Sequence, residues 1–306
     1  MEKLLISGGK PLKGSIKVSG AKNVALKALV AACLTDEEVI INNIPLISDF
    51  FVMVDIMKDL GATVSIKDHT ARVHVSKLIY HGVSLDKAAR ARTSSMFIAP
   101  LLARLGEAII PNPGGCRLGA RPIDRTIEGL KQMNVTVVYH SEDGYFHAKT
   151  KGLKGTTYEF KKNTHTGTET LILASVLAKG STILKNAAEE PEIDDLIALL
   201  ISMGAKIKRR GKREIEIEGV NKLHGTTFVI SPDRNEMVTF AIASIVTGGD
   251  VFIEGAKRNY IEAFLEKLSE AGGGYEEKEN GIRVFYKGKL HNTDITTSIY
   301  PGFMTD

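Results

Sequence analysis

One arrangement of apolar and polar positions recurs along the chain about every 70 residues, a spacing found by comparing the sequence with itself. Each copy begins with a segment that is apolar on almost every side, which is typical of a helix buried in a core. The four segments read NVALKALVAACL, SSMFIAPLLARL, ETLILASVLAKG and EMVTFAIASIVTGG. The pattern therefore predicts four core helices.

The rest of each copy follows a fixed order of elements. A short strand rich in β-branched residues comes next, such as EEVIINN or STILKNA. An amphipathic helix follows, and the helices of successive copies end near Gly61, Asn134, Gly204 and Gly272. Further strands close each copy. The expected fold class is therefore α+β, built from repeated units whose helices pack inward.

Length and composition bound the class of protein. The 306 residues exceed the roughly 250 to 300 at which single cores stop growing, so two domains are expected. A content of 43% hydrophobic and 25% charged residues is typical of a globular protein. No N-terminal leader is recognisable, and no stretch approaches the roughly 20 apolar residues of a membrane span. A cytoplasmic location without a membrane partner is expected.

The charge pattern has one dense basic run, KIKRRGKR, at residues 206–213. It has two interpretations: a nucleic-acid patch, or one strand of a solvated hairpin. The run alternates apolar and basic residues and continues into EIEIE, which favours the hairpin. The net charge of +4 favours an anionic small substrate only weakly, and no nucleic-acid partner is expected.

The two cysteines differ in their surroundings. Cys33 lies inside the apolar stretch LVAACL and is expected to be buried, with no chemical role. Cys116 lies in PNPGGCRLGARPID, whose prolines and glycines predict a loop, and the neighbouring Arg117 and Arg121 favour the reactive thiolate. The spacing of the two cysteines indicates neither a disulfide nor a metal site.

A lysine stands at the beginning of the first core helix. In SGAKNVALKALV, Lys22 and Asn23 follow a glycine turn, where the unpaired N–H groups of a helix start attract anions. Lys22 is therefore a candidate to bind a phosphate or a carboxylate. The alternative is a solvated lysine at a helix cap, and the motif alone leaves both open.

The repeated units, the SGAKN stretch and the cysteine loop together resemble the enolpyruvyl transferase family. The loop matches the pattern PGGCxxGxRPxD of the members that act on UDP-N-acetylglucosamine, and the related shikimate-pathway members lack it. The resemblance implies an inside-out α/β barrel of βαβαββ-type units, three per domain. It implies a complete domain at residues 22–219, which carries the cysteine loop, and a second, incomplete domain at residues 1–21 and 220–306.

The resemblance also implies an activity. It is the transfer of the enolpyruvyl group of phosphoenolpyruvate to the 3-hydroxyl of UDP-N-acetylglucosamine, the first committed step of peptidoglycan synthesis, without metal or cofactor. Cys116 would protonate C3 of phosphoenolpyruvate, or bond to C2, and Asp306 would accept the hydroxyl proton. The residues implied at the phosphoenolpyruvate site are Lys22, Asn23 and Arg121.

A larger set of residues is implied at the UDP-sugar site. These are Arg92, Arg121, Pro122, Ile123, Asp124, Arg125, Thr164, His165, Thr166, Gly167 and Asp306. Surface ion pairing is the alternative role for Arg121 and Asp124. In NTHTGTET, His165 and Glu169 replace residues usual in the family, and a lone histidine is more often structural or solvated.

The C-terminal end leaves a second hypothesis open. The remaining units of the family, about a quarter of the usual chain, carry further arginines that close over phosphoenolpyruvate, and the sequence stops at Asp306 before them. The alternative to an active transferase is therefore a UDP-sugar-binding piece that is inactive or needs a partner. That partner would come from self-association or from a complementing C-terminal fragment.

Overall fold

The computed structural model describes residues 3–112 and 123–304. Internal contacts divide the chain into two compact units. The larger unit runs from Gly20 to Ser231, and the smaller unit combines the residues up to Ser19 with those from Pro232 onward. The domains expected at residues 22–219 and at 1–21 with 220–306 have different boundaries, and as folding units they remain a prediction.

The larger unit contains three copies of the repeat. The first consists of α1 (Lys22–Ala32), β2 (Val39–Asn42), α2 (Ser48–Asp59), β3 (Thr63–Lys67), β4 (Thr70–His74) and β12 (Thr226–Val229). The second consists of α3 (Leu85–Arg90), a 3₁₀ helix (Arg92–Phe97), α4 (Ile98–Leu105), β5 (Glu107–Pro111), α5 (Asp124–Gln132), β6 (Thr136–His140) and β7 (Tyr145–Lys149). The third consists of β8 (Thr157–Glu159), α6 (His165–Ser175), β9 (Ser181–Lys185), α7 (Pro191–Ser202), β10 (Lys206–Gly211) and β11 (Glu214–Glu218).

Each copy forms one small sheet with the same strand order. The order is β12-β2-β4-β3 in the first copy and β8-β9-β11-β10 in the third, and in both the first two strands are parallel while the others are antiparallel. The second copy has β5-β7-β6, with a parallel bridge from Gly82 to Ile109 where the first strand would lie. The predicted βαβαββ unit is confirmed, and the described strands form separate sheets rather than one closed barrel.

The smaller unit is a fourth copy of the same repeat. It consists of β1 (Lys13–Lys17), α8 (Arg234–Val246), β13 (Asp250–Glu254), a 3₁₀ turn (Arg258–Tyr260), α9 (Glu262–Glu270), β14 (Gly273–Lys278) and β15 (Gly281–Tyr286). Its strand order is β1-β13-β15-β14, with β1 parallel to β13. The first strand of this sheet thus comes from the beginning of the chain. Similarly, the first strand of the first copy's sheet, β12, comes from far downstream in the chain.

The core helices explain the inside-out arrangement. In α1 and in α6, nine of the eleven residues are buried, as expected for helices that are apolar on nearly every side. The strands show alternating burial instead, since one face of each sheet covers the helices. Helix α8 differs, because only five of its thirteen residues are buried.

The predicted ends of the amphipathic helices are confirmed by the backbone. Gly61, Asn134, Gly204 and Gly272 have φ values of 103°, 69°, 98° and 90°, the left-handed conformation that terminates a helix. None of the helices in the described parts of the chain is long and apolar enough to cross a membrane.

The second core helix is less regular than its sequence predicts. The first four residues of the predicted segment, 94–97, belong to the 3₁₀ helix Arg92–Phe97, and the α-helix begins only at Ile98. Pro100 is the third residue of α4, a position in the first turn where a missing amide hydrogen costs no intrahelical bond.

The basic run at residues 206–213 forms the expected hairpin, because β10 pairs antiparallel with β11. Its charges face acidic partners: Lys206 binds Glu218 at 2.7 Å, and Arg210 binds Glu216 at 2.6 Å. These pairs neutralise much of the run, which argues against a nucleic-acid patch.

Candidate active site

Four residues of the predicted site lie outside the described part of the chain. They are Cys116, Arg121 and Pro122 in the cysteine loop, and Asp306 at the C-terminus. Their roles remain predictions. The structure describes both flanks of the loop, which follows β5 and precedes α5, and it describes the other predicted residues.

Lys22 is the first residue of α1, and the turn before it is closely held. The amide of Ala21 donates to the carbonyl of Ser231 at 2.8 Å, and Asn43 Nδ2 donates to the carbonyl of Ile230 at 2.9 Å. Position 20 requires glycine, because the Cβ of any other residue would lie 1.8 Å from the carbonyl oxygen of Asn43. The backbone therefore fixes the beginning of α1 against the end of β2.

The side chain of Lys22 combines with the helix start to form a positive site. Its ammonium pairs with Asp49 in the first turn of α2, and 46% of the Lys22 side chain remains exposed. Asn23, the next residue, is half-buried. An exposed ammonium beside the N–H groups of a helix start is suited to binding a phosphate or a carboxylate, which would compete with Asp49.

Arg92 and the start of α5 belong to the second copy. Arg92 is the half-buried first residue of the 3₁₀ helix, and its carbonyl accepts from Ser95 Oγ at 3.1 Å. Ile123 is the buried cap of α5, Asp124 is its exposed first residue, and the carbonyl of Arg125 accepts from Tyr158 Oη at 2.9 Å.

The start of α6 carries the other predicted UDP-sugar residues. Thr164 caps the helix, and its Oγ1 accepts from the amide of Gly167 at 3.2 Å. Gly167 is buried, and a Cβ there would lie 2.5 Å from Thr164 Cγ2. His165 and Thr166 are the first two residues of the helix and both are half-buried, so they line its positive end.

The structure joins two of these segments through a buried ion pair that the sequence did not predict. Lys27 in α1 lies with its Nζ 3.3 Å from Oε1 of Glu169 in α6, and both side chains are almost fully buried. His165 Nε2 lies 3.4 Å from the same oxygen. The second turns of α1 and α6 are therefore in contact. The sequence feature that could have indicated this pair is a charged residue within each of two helices predicted to be buried, because buried charges are usually paired.

Burial raises the pKa of the Glu169 carboxyl to about 8. Lys27 opposes this rise, and the carboxylates of Glu192 and Glu190 add to it. Glu169 therefore keeps a proton to a higher pH than an ordinary carboxyl does.

One group of described residues has the composition of a metal site. His140, Asp143 and His147 lie on the β6–β7 hairpin, with ligand atoms within 4.8 Å of one another. Asp143 Oδ2 lies 2.9 Å from His147 Nε2, and the two imidazole rings stack at 4.2 Å. These contacts account for the arrangement without an ion.

Cys33, the cysteine that lies in the described part of the chain, is unreactive. Cys33 is fully buried, and burial raises its thiol pKa to about 12 despite the opposing charge of Arg104. The thiolate that reacts with electrophiles is therefore not formed at neutral pH.

Known proteins resemble this chain along its whole length. The model of the EPSP synthase (3-phosphoshikimate 1-carboxyvinyltransferase) family matches residues 6–306. The UDP-N-acetylglucosamine 1-carboxyvinyltransferases of Acidobacterium capsulatum and Magnetococcus marinus are both 44% identical over 100% of this chain. The chain spans 71% and 73% of those two relatives.

Solved structures share the fold at lower identity. The enolpyruvyl transferase NikO from Streptomyces tendae has a TM-score of 0.86 and 20% identity, over 97% of this chain and 71% of that one. An EPSP synthase from Acinetobacter baumannii has a TM-score of 0.69 and 18% identity, over 91% of this chain and 65% of that one. The repeated inside-out units, the family match and the whole-chain identity agree, and the chain belongs to the EPSP synthase family of enolpyruvyl transferases, in the group of the UDP-N-acetylglucosamine 1-carboxyvinyltransferases.

Proposed function

We propose that this chain carries out the transfer of the enolpyruvyl group from phosphoenolpyruvate to the 3-hydroxyl of UDP-N-acetylglucosamine. The observation that carries the proposal is the 44% identity, over the whole chain, to relatives named for this activity. The cysteine loop and the positive start of α1 support it. The activity belongs to peptidoglycan synthesis, and the expected cytoplasmic location remains a prediction.

The start of α1 is suited to phosphoenolpyruvate. This substrate carries a phosphate and a carboxylate, so its site needs fixed positive groups. Lys22 offers an ammonium beside the N–H groups of the helix start, and Asn23 offers an amide. Arg121 would add a planar fork that binds two anionic oxygens at once.

The reaction needs two proton transfers. The sugar oxygen bonds to C2 of phosphoenolpyruvate while Asp306 takes the hydroxyl proton, and the Cys116 thiol gives a proton to C3. The product of this addition is a tetrahedral intermediate. In the second step the Cys116 thiolate left by the addition takes a proton back from C3, the bond from C2 to the phosphate oxygen breaks, and the C2=C3 double bond forms again. Phosphate leaves, and the enolpyruvyl ether remains on the sugar.

The UDP-sugar would be held by residues from the second and third copies. Arg92, Ile123, Asp124 and Arg125 would come from the second copy, with Pro122, and Thr164, His165, Thr166 and Gly167 from the start of α6. The last four lie at a helix N-terminus, which is suited to the diphosphate.

The second hypothesis is a UDP-sugar-binding piece that needs a complementing C-terminal part for turnover. Helix α8 favours it, because its sequence is apolar on nearly every side, yet Ile242 and Val246 are 45% and 68% exposed. A helix of this kind is normally covered. The chain spans 71% to 73% of its relatives, so a remaining quarter would supply the cover, and a second copy of this chain is the competing occupant.

Phosphate release separates the two hypotheses. With both substrates present, the active transferase releases phosphate, and Cys116→Ser abolishes the release. Cys33→Ser is the matched control, because that thiol is buried, and it should leave both turnover and labelling of the native protein by iodoacetamide unchanged. If the unchanged chain binds UDP-N-acetylglucosamine in a calorimeter but releases no phosphate, the second hypothesis holds.

The second hypothesis has its own test. Adding the C-terminal quarter of a relative as a separate chain should then restore phosphate release, and Ile242→Glu should prevent the restoration. A chain that binds no UDP-N-acetylglucosamine, alone or with that addition, would contradict both hypotheses.

A further inference from the structure

A buried cluster of charged residues lies one helical turn below the predicted substrate segments. Oε1 of Glu169 is 3.3 Å from Lys27 Nζ and 3.4 Å from His165 Nε2, so one carboxylate oxygen lies between an ammonium and an imidazole. Glu169 has no exposed surface, and neither of its oxygens accepts a well-directed hydrogen bond from the described residues. The contacts of Glu169 are therefore mainly electrostatic.

The cluster connects the two helix starts at which the substrates are expected. Lys27 lies four residues after Asn23 on α1, and Glu169 lies four residues after His165 on α6. Residues at this spacing lie on the same face of a helix. A change in the charge of the cluster therefore acts on the exposed starts of both helices, and most directly on His165.

We propose that Glu169 and Lys27 position His165 for the UDP-sugar and set the charge of its imidazole, so that affinity for the UDP-sugar depends on one proton held between His165 and Glu169. This inference rests on the proposed function. His165 is the first residue of α6, and a quarter of its side chain is exposed, so a bound diphosphate would lie beside it.

Several charged groups determine where the proton lies. Lys27 of α1 faces Glu169 and favours its ionised form, while Glu190 and Glu192 at the beginning of α7 favour the protonated form. Burial, reinforced by Glu192 and Glu190 and opposed by Lys27, raises the Glu169 pKa to about 8. An anionic ligand favours the proton on His165 and the negative charge on Glu169. Above about pH 8 the proton is lost and the neutral imidazole no longer attracts the ligand.

The experiment measures the affinity for UDP-N-acetylglucosamine by calorimetry between pH 5.5 and pH 9.5. For the unchanged chain, the affinity should fall about tenfold per pH unit above a midpoint near the Glu169 pKa of about 8. In Glu169→Gln the carboxyl that shares the proton with His165 is gone, so the midpoint should move down. In Lys27→Met an opposing cation is lost, so the midpoint should move up.

The opposite directions of these two shifts distinguish the proposal from a purely structural role. If both variants weaken binding equally at every pH and keep the midpoint of the unchanged chain, Glu169 and Lys27 only support the fold and the proposal is wrong. Asp143→Asn is the matched control, because it removes a carboxylate four residues before an imidazole, His147, on an exposed hairpin. It should leave the affinity profile unchanged.

A second readout does not depend on the ligand. Nuclear magnetic resonance follows the protonation of the His165 ring in the free chain, and Glu169→Gln should lower the pH at which this ring titrates, because the neighbouring negative charge is lost. An unchanged titration would overturn the inference even if UDP-N-acetylglucosamine binds well. If this titration shifts as expected and the sugar nucleotide does not bind at any pH, the coupling stands and the proposed function fails.

Discussion

Single residues show where sequence reasoning stops at this site. Lys27 and Glu169 are each conspicuous as a charge within an apolar helix, but nothing in the sequence indicates that they face each other. Their contact at 3.3 Å depends on how α1 and α6 pack. The sequence predicted Cys33 to be buried and inert, and the structure confirms its burial. A cysteine with apolar residues on both sides packs into the core as a small hydrophobic side chain.

The first prediction concerns Gly20, at the turn before Lys22. We expect Gly20→Ala to lower the free energy of unfolding by about 1 to 3 kcal/mol, because the new Cβ would overlap the carbonyl oxygen of Asn43 at 1.8 Å. Urea unfolding measures the change. Gly211→Ala is the control, since a Cβ there meets nothing within 4 Å. Equal losses in the two variants would contradict this account of the turn.

At the scale of elements, the four copies share one sequence pattern but not one environment. The pattern predicted a core helix in each copy, and α1 and α6 are buried accordingly. Helix α8 has the same pattern with much less burial. An apolar sequence predicts that a helix is buried by other elements. Only the tertiary structure shows how many of its residues are buried.

The second prediction concerns the loop that brings the chain back to β12. Glu37 accepts from the amide of Gly225 at 2.9 Å and contacts Lys222 and His224 at 3.1 Å and 3.2 Å. The hydrogen bond from Gly225, followed by those from Lys222 and His224, lowers the Glu37 pKa to about 2. The stabilisation is therefore present above the ordinary value of 4.5 and is lost as the pH falls from 4.5 towards 2.

The variant Glu37→Gln tests this pH dependence. It should unfold at a lower temperature than the unchanged chain at pH 7, and the difference should vanish near pH 2, as measured by thermal melts across this range. Glu142→Gln removes a carboxylate from an exposed turn and should show no such dependence. A difference that persists undiminished at pH 2 would show that the carboxylate charge is not its source.

At the scale of the whole molecule, two first strands come from distant parts of the chain. Strand β12 pairs with β2 over a long separation, and β1 pairs with β13. Ser231 adds a further long-range contact, since its Oγ donates to Asp195 in α7 at 2.9 Å. The pairing of β12 with β2 and the contact of Ser231 with Asp195 both lie within the larger unit, which runs to Ser231.

The third prediction compares two pieces of the chain. Residues 20–231 should fold as a cooperative unit and resist urea better than residues 22–219, because the shorter piece loses β12 and leaves β2 as an open edge. Circular dichroism during urea unfolding measures both. If the two pieces unfold at the same urea concentration, the boundary implied by the family resemblance is the better one.

The sequence by itself determined the repeated order of core helix, strand, amphipathic helix and further strands, the ends of the amphipathic helices and the family. Apolar periodicity, turn residues and the motif PGGCRLGARPID are local properties, and each is legible over a few residues. Only the tertiary structure decided which strand closes each sheet, how far α8 is covered, and that Lys27, His165 and Glu169 meet. Those features depend on contacts between residues far apart in the chain, which no local pattern specifies.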